Sequence, residues 1–176
     1  MNAVEAYRHA LNVIKGRYVV GEPIIATDPR ESLLYARNVL KGRFPAGEEA
    51  ISTDIDCAYE YAIDHTTKNA EEEAECSFSF ASKVIGGAYP PAEGRISGSA
   101  EFSYYYARAV LRGPFPLGEP AIARSARYSY LYALNVLYGR FPAGEETIGA
   151  DVEYTALYAE NILCNTLLNR PIGNNK

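Results

Sequence analysis

Hydrophobic and polar positions recur along the chain at a nearly constant interval. Alignment on an alanine that follows a ring-bearing residue gives seven anchor positions, which lie 26, 26, 19, 26, 26 and 26 residues apart. These anchor alanines are Ala10, Ala36, Ala62, Ala81, Ala107, Ala133 and Ala159. The short interval lacks about two helical turns. The pattern predicts seven repeats of one unit, with a deletion in the third.

Each repeat carries a helix start signal eight residues before its anchor alanine. Six of the seven residues there belong to the types preferred at an N-cap. They occupy the column Asn2, Asp28, Asp54, Glu73, Ser99, Ser125 and Asp151. Pro29 follows Asp28 as a preferred first helical residue, and Glu31 stands where it would complete a capping box. Helices are therefore predicted to begin at this column.

A helix stop signal follows six residues after each anchor alanine. Most residues there tolerate the left-handed conformation that ends a helix. The column is Gly16, Gly42, Lys68, Gly87, Gly113, Gly139 and Asn165. From cap to stop, the pattern predicts a long helix of about 13 residues, ~20 Å in length.

Small side chains lie four residues before the anchor alanines. This small column is Ala6, Ser32, Ala58, Ser77, Ser103, Ser129 and Thr155. Together with the anchors it forms an i, i+4 stripe on which a neighbouring helix can approach closely. Large apolar residues flank the stripe, so each long helix is expected to be buried over more than half of its circumference.

A turn and a second, shorter helix are predicted after most stops. The fullest form of the turn is Arg-Phe-Pro, at residues 43–45 and 140–142, and a segment ending in isoleucine follows. The turn aromatic residues Phe44, Tyr89, Phe115 and Phe141 are expected to fill the gap between successive long helices. Proline at the start and glutamate in the first turn favour a helix of about two turns. Each repeat is then a helical hairpin.

Stacked hairpins form an α-solenoid, so the sequence predicts an all-α fold without β-sheet. We expect one domain over residues 1–176, with about seven repeats that share this plan. Their approximate bounds are 2–27, 28–53, 54–72, 73–98, 99–124, 125–150 and 151–176.

The third and seventh repeats depart from the pattern. Repeat three has His65 and Thr66 where the others have aliphatic residues, and it lacks the turn and the short helix. Asn69 with Glu72 can cap a new helix, so we expect a tight or helical link and a local irregularity between repeats three and four. The seventh repeat loses the pattern at NTLLNRPIGNNK, and its polar tail is expected to fray.

Composition narrows the class of protein. The chain has 176 residues, 48% of them hydrophobic, and a formal net charge of −5. This balance argues against a surface built throughout to neutralise phosphates, although a local basic strip stays open. Cys57, Cys76 and Cys164 form no CxxC pair, so neither a disulfide framework nor a metal site is predicted. With no apolar window of ~18 residues, we expect a soluble cytoplasmic protein that has no membrane partner and binds no cofactor.

Catalytic signatures are lacking in the sequence. His9 and His65 are its two histidines, and no GxSxG, HExxH, P-loop or dinucleotide-binding motif occurs. His9 occupies the ring-bearing column, which favours a core role. His65 lies beside the deletion, but helical spacing puts Cys57 about two turns away from it. We therefore predict no catalytic residue and a non-enzymatic function.

Three groups of residues are candidates for binding a partner. Arginines such as Arg17, Arg43 and Arg140 recur at the turns and are opposed by a row of glutamates. Two interpretations stay open: the two rows form a ladder of ion pairs, or the arginines form an edge that binds phosphates. Among 15 tyrosines, some must point outward, and Tyr105 and Tyr128 are assigned to a recognition surface. Near the deletion, the acidic residues Glu71 and Glu72 are expected to meet a basic partner, and His65 is assigned to partner binding because of its place there.

The phrase [YF]AxNVL[KY]GRFPAGEEAI, at residues 35–51 and, with Thr147 in place of alanine, at residues 132–148, resembles a repeat of proteins from bacteriophages and large DNA viruses. It is also similar to shortened tetratricopeptide-type hairpins, without their 34-residue period. The resemblance implies a viral protein that binds a host protein in the host cytoplasm, such as a defence or regulatory factor. Because solenoids offer extended surfaces with few intrinsic chemical groups, our leading hypothesis is a non-enzymatic protein-interaction module. The alternatives are a nucleic-acid binder that uses arginines and tyrosines, and a component of the virion or its assembly.

Overall fold

The structure is a computed structural model that describes residues 1–164, and this part of the chain contains helices and no strand. The predicted all-α class is confirmed. Contacts divide the chain into two compact units, Met1–Lys68 and Asn69–Lys176. The single domain and the continuous solenoid stay predictions, and the predicted frayed tail falls outside the described residues.

Within each unit, a long helix, counted together with any π-helical turn that continues it, alternates with a short helix. The first unit contains α1 (Ala3–His9), α2 (Glu22–Ile25), α3 (Pro29–Tyr35), α4 (Glu48–Ser52) and α5 (Ile55–Thr66). The second contains α6 (Ala70–Ser79), α7 (Pro90–Ile96), α8 (Ala100–Tyr105), α9 (Glu119–Ile122), α10 (Ala126–Tyr132), α11 (Glu145–Gly149) and α12 (Val152–Tyr158). The helical hairpin is therefore confirmed as the local unit, and 3₁₀ turns at Pro45–Gly47 and Pro142–Gly144 lead into α4 and α11.

Every long helix except α5 continues into a wider π-helical turn. These turns are Ala10–Ile14, Ala36–Leu40, Phe80–Ile85, Tyr106–Leu111, Ala133–Leu137 and Ala159–Leu163. Helix α5, in the repeat with the deletion, ends instead at Thr66 and is followed by the extended residue Thr67. The wide turn thus accompanies the hairpin turn that repeat three lacks.

The predicted N-caps are confirmed in six repeats. The Asp28 side chain, for example, accepts the Glu31 amide at 2.9 Å, although one carboxylate oxygen of Glu31 is buried without a hydrogen-bond partner. Glu73 was the wrong residue for repeat four. Helix α6 begins earlier because Asn69 accepts the amides of both Glu71 and Glu72 at 3.0 Å, as its sequence signal predicted.

In five repeats, the left-handed residue that ends the long helix lies one position before the predicted glycine. The residues with positive φ are Lys15, Lys41, Gly86, Arg112 and Tyr138. In the wide final turn, the carbonyl of Ala36 accepts the amide of Lys41 and also that of Gly42, at 3.2 Å. The π-helical turn therefore displaces the chain reversal, and the predicted glycine column was wrong by one residue.

The stripe of small residues is covered by the turn of the same repeat. A Cβ atom on Gly47 would lie 2.7 Å from the Cβ of Ser32, and the Ser32 hydroxyl donates to the carbonyl of Ile25 at 3.0 Å. Five anchor alanines are 0% exposed. Ala62 and Ala159 are only half-buried, since no such turn follows them within residues 1–164.

The turn's coverage gives a matched pair of substitutions. Ala133→Leu is expected to lower the free energy of unfolding by about 1–3 kcal/mol, because Ala133 is 0% exposed and its site is already filled. Ala159→Leu, at the same position of the half-covered repeat seven, is expected to cost much less. Urea denaturation of the two variants measures the difference. Equal losses would show that the turn is not what closes the stripe.

Candidate interaction site

A tyrosine in each of five long helices joins that helix to the preceding hairpin. The hydroxyl of Tyr132 accepts the Phe115 amide at 2.8 Å and donates to Glu119 at 2.9 Å. The same two bonds, with partners 17 and 13 residues earlier in the chain, are made by Tyr35, Tyr61, Tyr106 and Tyr158. These bridging tyrosines satisfy a backbone amide that the turn would otherwise bury unpaired. Burial raises the pKa of Tyr106 to about 12.

Three of the bridged glutamates also bind an arginine. The pairs are Arg17–Glu22 at 2.7 Å, Arg43–Glu48 at 2.7 Å and Arg140–Glu145 at 2.6 Å. Of the two open interpretations, the ladder of ion pairs is therefore the one that forms. Ala88 and Pro114 stand at the arginine position of repeats four and five. The three arginine side chains remain 55–65% exposed, and Arg17 and Arg43 line one cleft of about 740 Å³.

The ion pairs make stability depend on pH. The hydrogen bond from Arg140 is the main cause that lowers the pKa of Glu145 below its ordinary value, followed by burial, which opposes it, and the bond from Tyr158. A lowered folded-state pKa gives stability that is present above the unfolded pKa and lost as pH falls through the folded pKa. Glu145→Gln is thus expected to cost about 1–2 kcal/mol at pH 7. Thermal unfolding from pH 7 to 3 should show that cost shrinking, and a constant cost would contradict the linkage.

The rings of the turns pack against rings of the long helices. Phe44 meets Tyr35 edge-on with ring centroids 5.0 Å apart and an interplanar angle of 65°. Equivalent pairs are His9–Tyr18, Phe80–Tyr89, Tyr106–Phe115 and Tyr132–Phe141. Together with the burial of Phe44, Tyr89, Phe115 and Phe141 at 2–7% exposure, these pairs confirm that turn aromatics fill the space beside the long helices. His9 is confirmed as a packing residue of this column.

His65 takes the place of the missing aromatic ring in repeat three. Its imidazole lies edge-on to Tyr61, with centroids 4.4 Å apart and an interplanar angle of 64°. The Nε2 atom of His65 is buried and has no hydrogen-bond partner. Burial is the main cause that raises the pKa of the Cys57 thiol, which precedes His65 by two helical turns, to about 11. The thiol therefore stays protonated at neutral pH.

An open groove lies where the turn of repeat three would be. This repeat-three groove has a volume of about 400 Å³ and lies between α4 and α5. Its lining comprises Arg43, Glu48, Ile51, Ser52, Ala58, Tyr61, Ala62, His65 and Thr66. The corresponding residues of repeats six and seven, Arg140, Glu145, Ile148, Gly149, Thr155, Tyr158, Ala159 and Leu163, line a repeat-seven groove of about 210 Å³. Both grooves expose the small stripe that turns cover elsewhere.

The other predicted binding residues belong to packed or capping structure. The half-buried ring of Tyr105 contacts Phe78 and Tyr104, and the half-buried ring of Tyr128 contacts the buried Tyr104. The Glu71 carboxylate accepts a hydrogen bond from the Ser99 hydroxyl at 2.8 Å, and the Glu72 carboxylate accepts one from the side-chain amide of Asn69 at 3.0 Å. Only Arg43 and His65 of the predicted set line the repeat-three groove.

The grooves and the tyrosine bridges were missed in the sequence. Each bridge had a signal, since a glutamate stands 13 residues before every bridging tyrosine. The signal for the groove was the missing turn after Ala62.

Among residues 1–164, no helix combines the length and apolar character needed to span a bilayer, and no group of three acidic, histidine or cysteine side chains is placed to hold a metal. Comparisons of the chain with protein-family models, curated proteins and solved structures gave no significant match.

Proposed function

We propose that the protein is a non-enzymatic module that binds another protein. The observation that carries this proposal is the repeat-three groove, in which Ala58 and Ala62 are half-exposed although the same columns are 0% exposed at Ser32 and Ala36. Concave sites with an apolar floor and a few polar groups at the rim are the usual form of binding sites. The viral resemblance of the repeat extends the proposal to a host protein in the host cytoplasm.

The rim of the groove supports recognition of a polypeptide rather than a reaction. Arg43 and Glu48 are already paired with each other, and Glu48 also accepts the Tyr61 hydroxyl at 2.8 Å. Those bonds are the main causes that lower the pKa of Glu48, first the one from Tyr61 and then the one from Arg43. A carboxylate held ionised in this way is suited to orient a partner and poorly suited to act as a general acid.

The test is capture of a partner from bacterial lysate at moderate salt by the immobilised full chain. The expected result is the same protein in repeated trials, identified by mass spectrometry and shown by calorimetry to bind the purified chain. The heat-unfolded chain on the same support serves as the control. Failure to recover any protein specific to the folded chain would contradict the proposal.

A basic cleft in the second unit favours nucleic-acid binding as the second candidate. Arg108, Arg112, Asn135 and Tyr138 help to line this cleft of about 370 Å³, and its lining contains no carboxylate. Tyr138 is 84% exposed, so its ring is free to stack on a base. The sequence had directed this hypothesis to Arg43 and Arg140, which are paired with glutamates.

A gel shift with single-stranded RNA at low and high salt separates the two functions. Binding that weakens steeply with salt and is reduced by Arg112→Ala would support the nucleic-acid candidate. Arg140→Ala is the control, since Arg140 is engaged by Glu145. No retardation at low salt removes this candidate.

A further inference from the structure

The repeat-three groove has an internal counterpart whose occupant is known. In repeat two the same face of the long helix is covered by the segment Phe44–Pro45–Ala46–Gly47. Phe44 lies against Tyr35 with ring centroids 5.0 Å apart, and a Cβ on Gly47 would meet both the Phe44 ring, at 2.5 Å, and Ser32. In repeat two the face thus accepts an aromatic residue, a proline and a glycine.

The occupant recurs with the same contacts in other repeats. Gly118 lies against Ser103 and the Phe115 ring, and Gly144 lies against Ser129 and the Phe141 ring. The same contacts recur in repeats two, five and six. We therefore attribute the choice of this turn to the shape of the face. Repeat three keeps the face, with Ala58, Ala62 and Tyr61 in the equivalent columns, but no turn among residues 1–164 covers it.

We infer that the repeat-three groove binds a turn of the sequence aromatic–Pro–X–Gly presented by a partner protein. The inference rests on the proposed function and names the chemistry of the partner. The incoming turn would lie beside the Arg43–Glu48 pair, just as Phe44, Pro45 and Ala46 line one cleft with Arg17 and Glu22. The volume of about 400 Å³ falls within the roughly 300–1,000 Å³ of ligand-binding clefts.

His65 controls this groove by competing for the ring of Tyr61. It already makes the edge contact that a turn aromatic makes elsewhere, and it stands where most other repeats have valine: Val13, Val39, Val84, Val110 and Val136. The partner's ring must therefore displace the imidazole from Tyr61. Replacing His65 by valine restores the residue of the regular repeats and removes this competitor.

The direct test uses a fluorescent peptide with the sequence of residues 41–51, KGRFPAGEEAI, and the purified full chain. Saturable binding is expected by fluorescence anisotropy. Alanine in place of the peptide's phenylalanine should weaken it roughly tenfold or more, as for the loss of a central aromatic anchor. His65→Val in the protein should tighten binding. A peptide that does not bind at millimolar protein, or that binds equally without its phenylalanine, overturns the inference.

Matched protein variants locate the site. Ala62→Leu fills the repeat-three groove and should weaken binding about tenfold or more. Ala159→Leu alters the repeat-seven groove, whose volume of about 210 Å³ lies below the roughly 300–1,000 Å³ of ligand-binding clefts, and should leave binding unchanged. Because Ala62 and Ala159 are half-buried, both variants are expected to fold, and thermal unfolding checks this. Binding lost with Ala159→Leu, or unaffected by either variant, places the peptide elsewhere and contradicts the inference.

Two further outcomes separate this inference from others. If the chain alone forms dimers that Ala62→Leu dissociates, a second molecule of the chain fills the groove, and the partner turn is overturned. If a lysate protein is captured equally by the chain and by its Ala62→Leu variant, the interaction module stands and only the groove assignment fails. Peptide binding to the pure chain does not depend on capture, so the two failures are distinguishable.

Discussion

Gly118→Ala is expected to lower the free energy of unfolding by about 3 kcal/mol. The added Cβ would clash with the Phe115 ring and would lie 2.6 Å from the Cβ of Ser103. Both neighbours are nearly or fully buried, at 3% and 0% exposure, so neither can move aside without disturbing the hairpin. Urea denaturation followed by circular dichroism measures the loss.

Gly149→Ala is the control for this prediction. Nothing lies within 4 Å of a Cβ placed on Gly149, and alanine is the better residue for a helix, so this variant should be neutral or slightly stabilising. At the position that corresponds to Gly118, repeat four has Ala92, and there the short helix already begins at Pro90. A neutral result for Gly118→Ala would mean that other turns can adopt that alternative shape freely.

Tyr132→Phe is expected to cost about 2 kcal/mol. The tyrosine is 0% exposed, and its hydroxyl satisfies the Phe115 amide and binds Glu119. Without it, a buried backbone donor loses its partner, which is more costly than the net value of an ordinary hydrogen bond. Thermal unfolding at pH 7 measures the change.

Two further tyrosine-to-phenylalanine variants serve as comparisons for Tyr132→Phe. Tyr138→Phe should be near neutral, because Tyr138 is 84% exposed. Tyr158→Phe should cost less than Tyr132→Phe, because Arg140 still holds Glu145 whereas Pro114 stands at the corresponding position before Glu119. Equal costs at Tyr132 and Tyr158 would contradict a contribution from the arginine.

Local signals predicted the helices well. Asp28 and Asn69 were recognised as caps because an N-cap acts on amides two or three residues away, and both bonds are present. The left-handed position was wrong by one residue, at Lys41 instead of Gly42. The sequence pattern assumed an ordinary α-helical end, whereas the last turn is π-helical.

The candidate site was predicted only in part. Arg43 was singled out for phosphate contact and His65 for its place beside the deletion, and neither interpretation included a groove. The groove that joins them depends on a segment that repeat three does not have, and a missing segment leaves no residue to recognise. The edge contact between His65 and Tyr61 has the same form as the contact between Phe44 and Tyr35, and it depends on the folded arrangement of these rings.

The sequence by itself determined the period, the helical class and the caps, because these follow from interactions between residues a few positions apart. The tertiary structure alone decided which face each turn covers and which tyrosine hydroxyl reaches which amide. The glutamate lies 13 residues before its tyrosine in the chain, and the residue that supplies the amide lies 17 residues before it. Their distance is set by how a turn packs against the next long helix, and packing of this kind is not encoded in any one local segment.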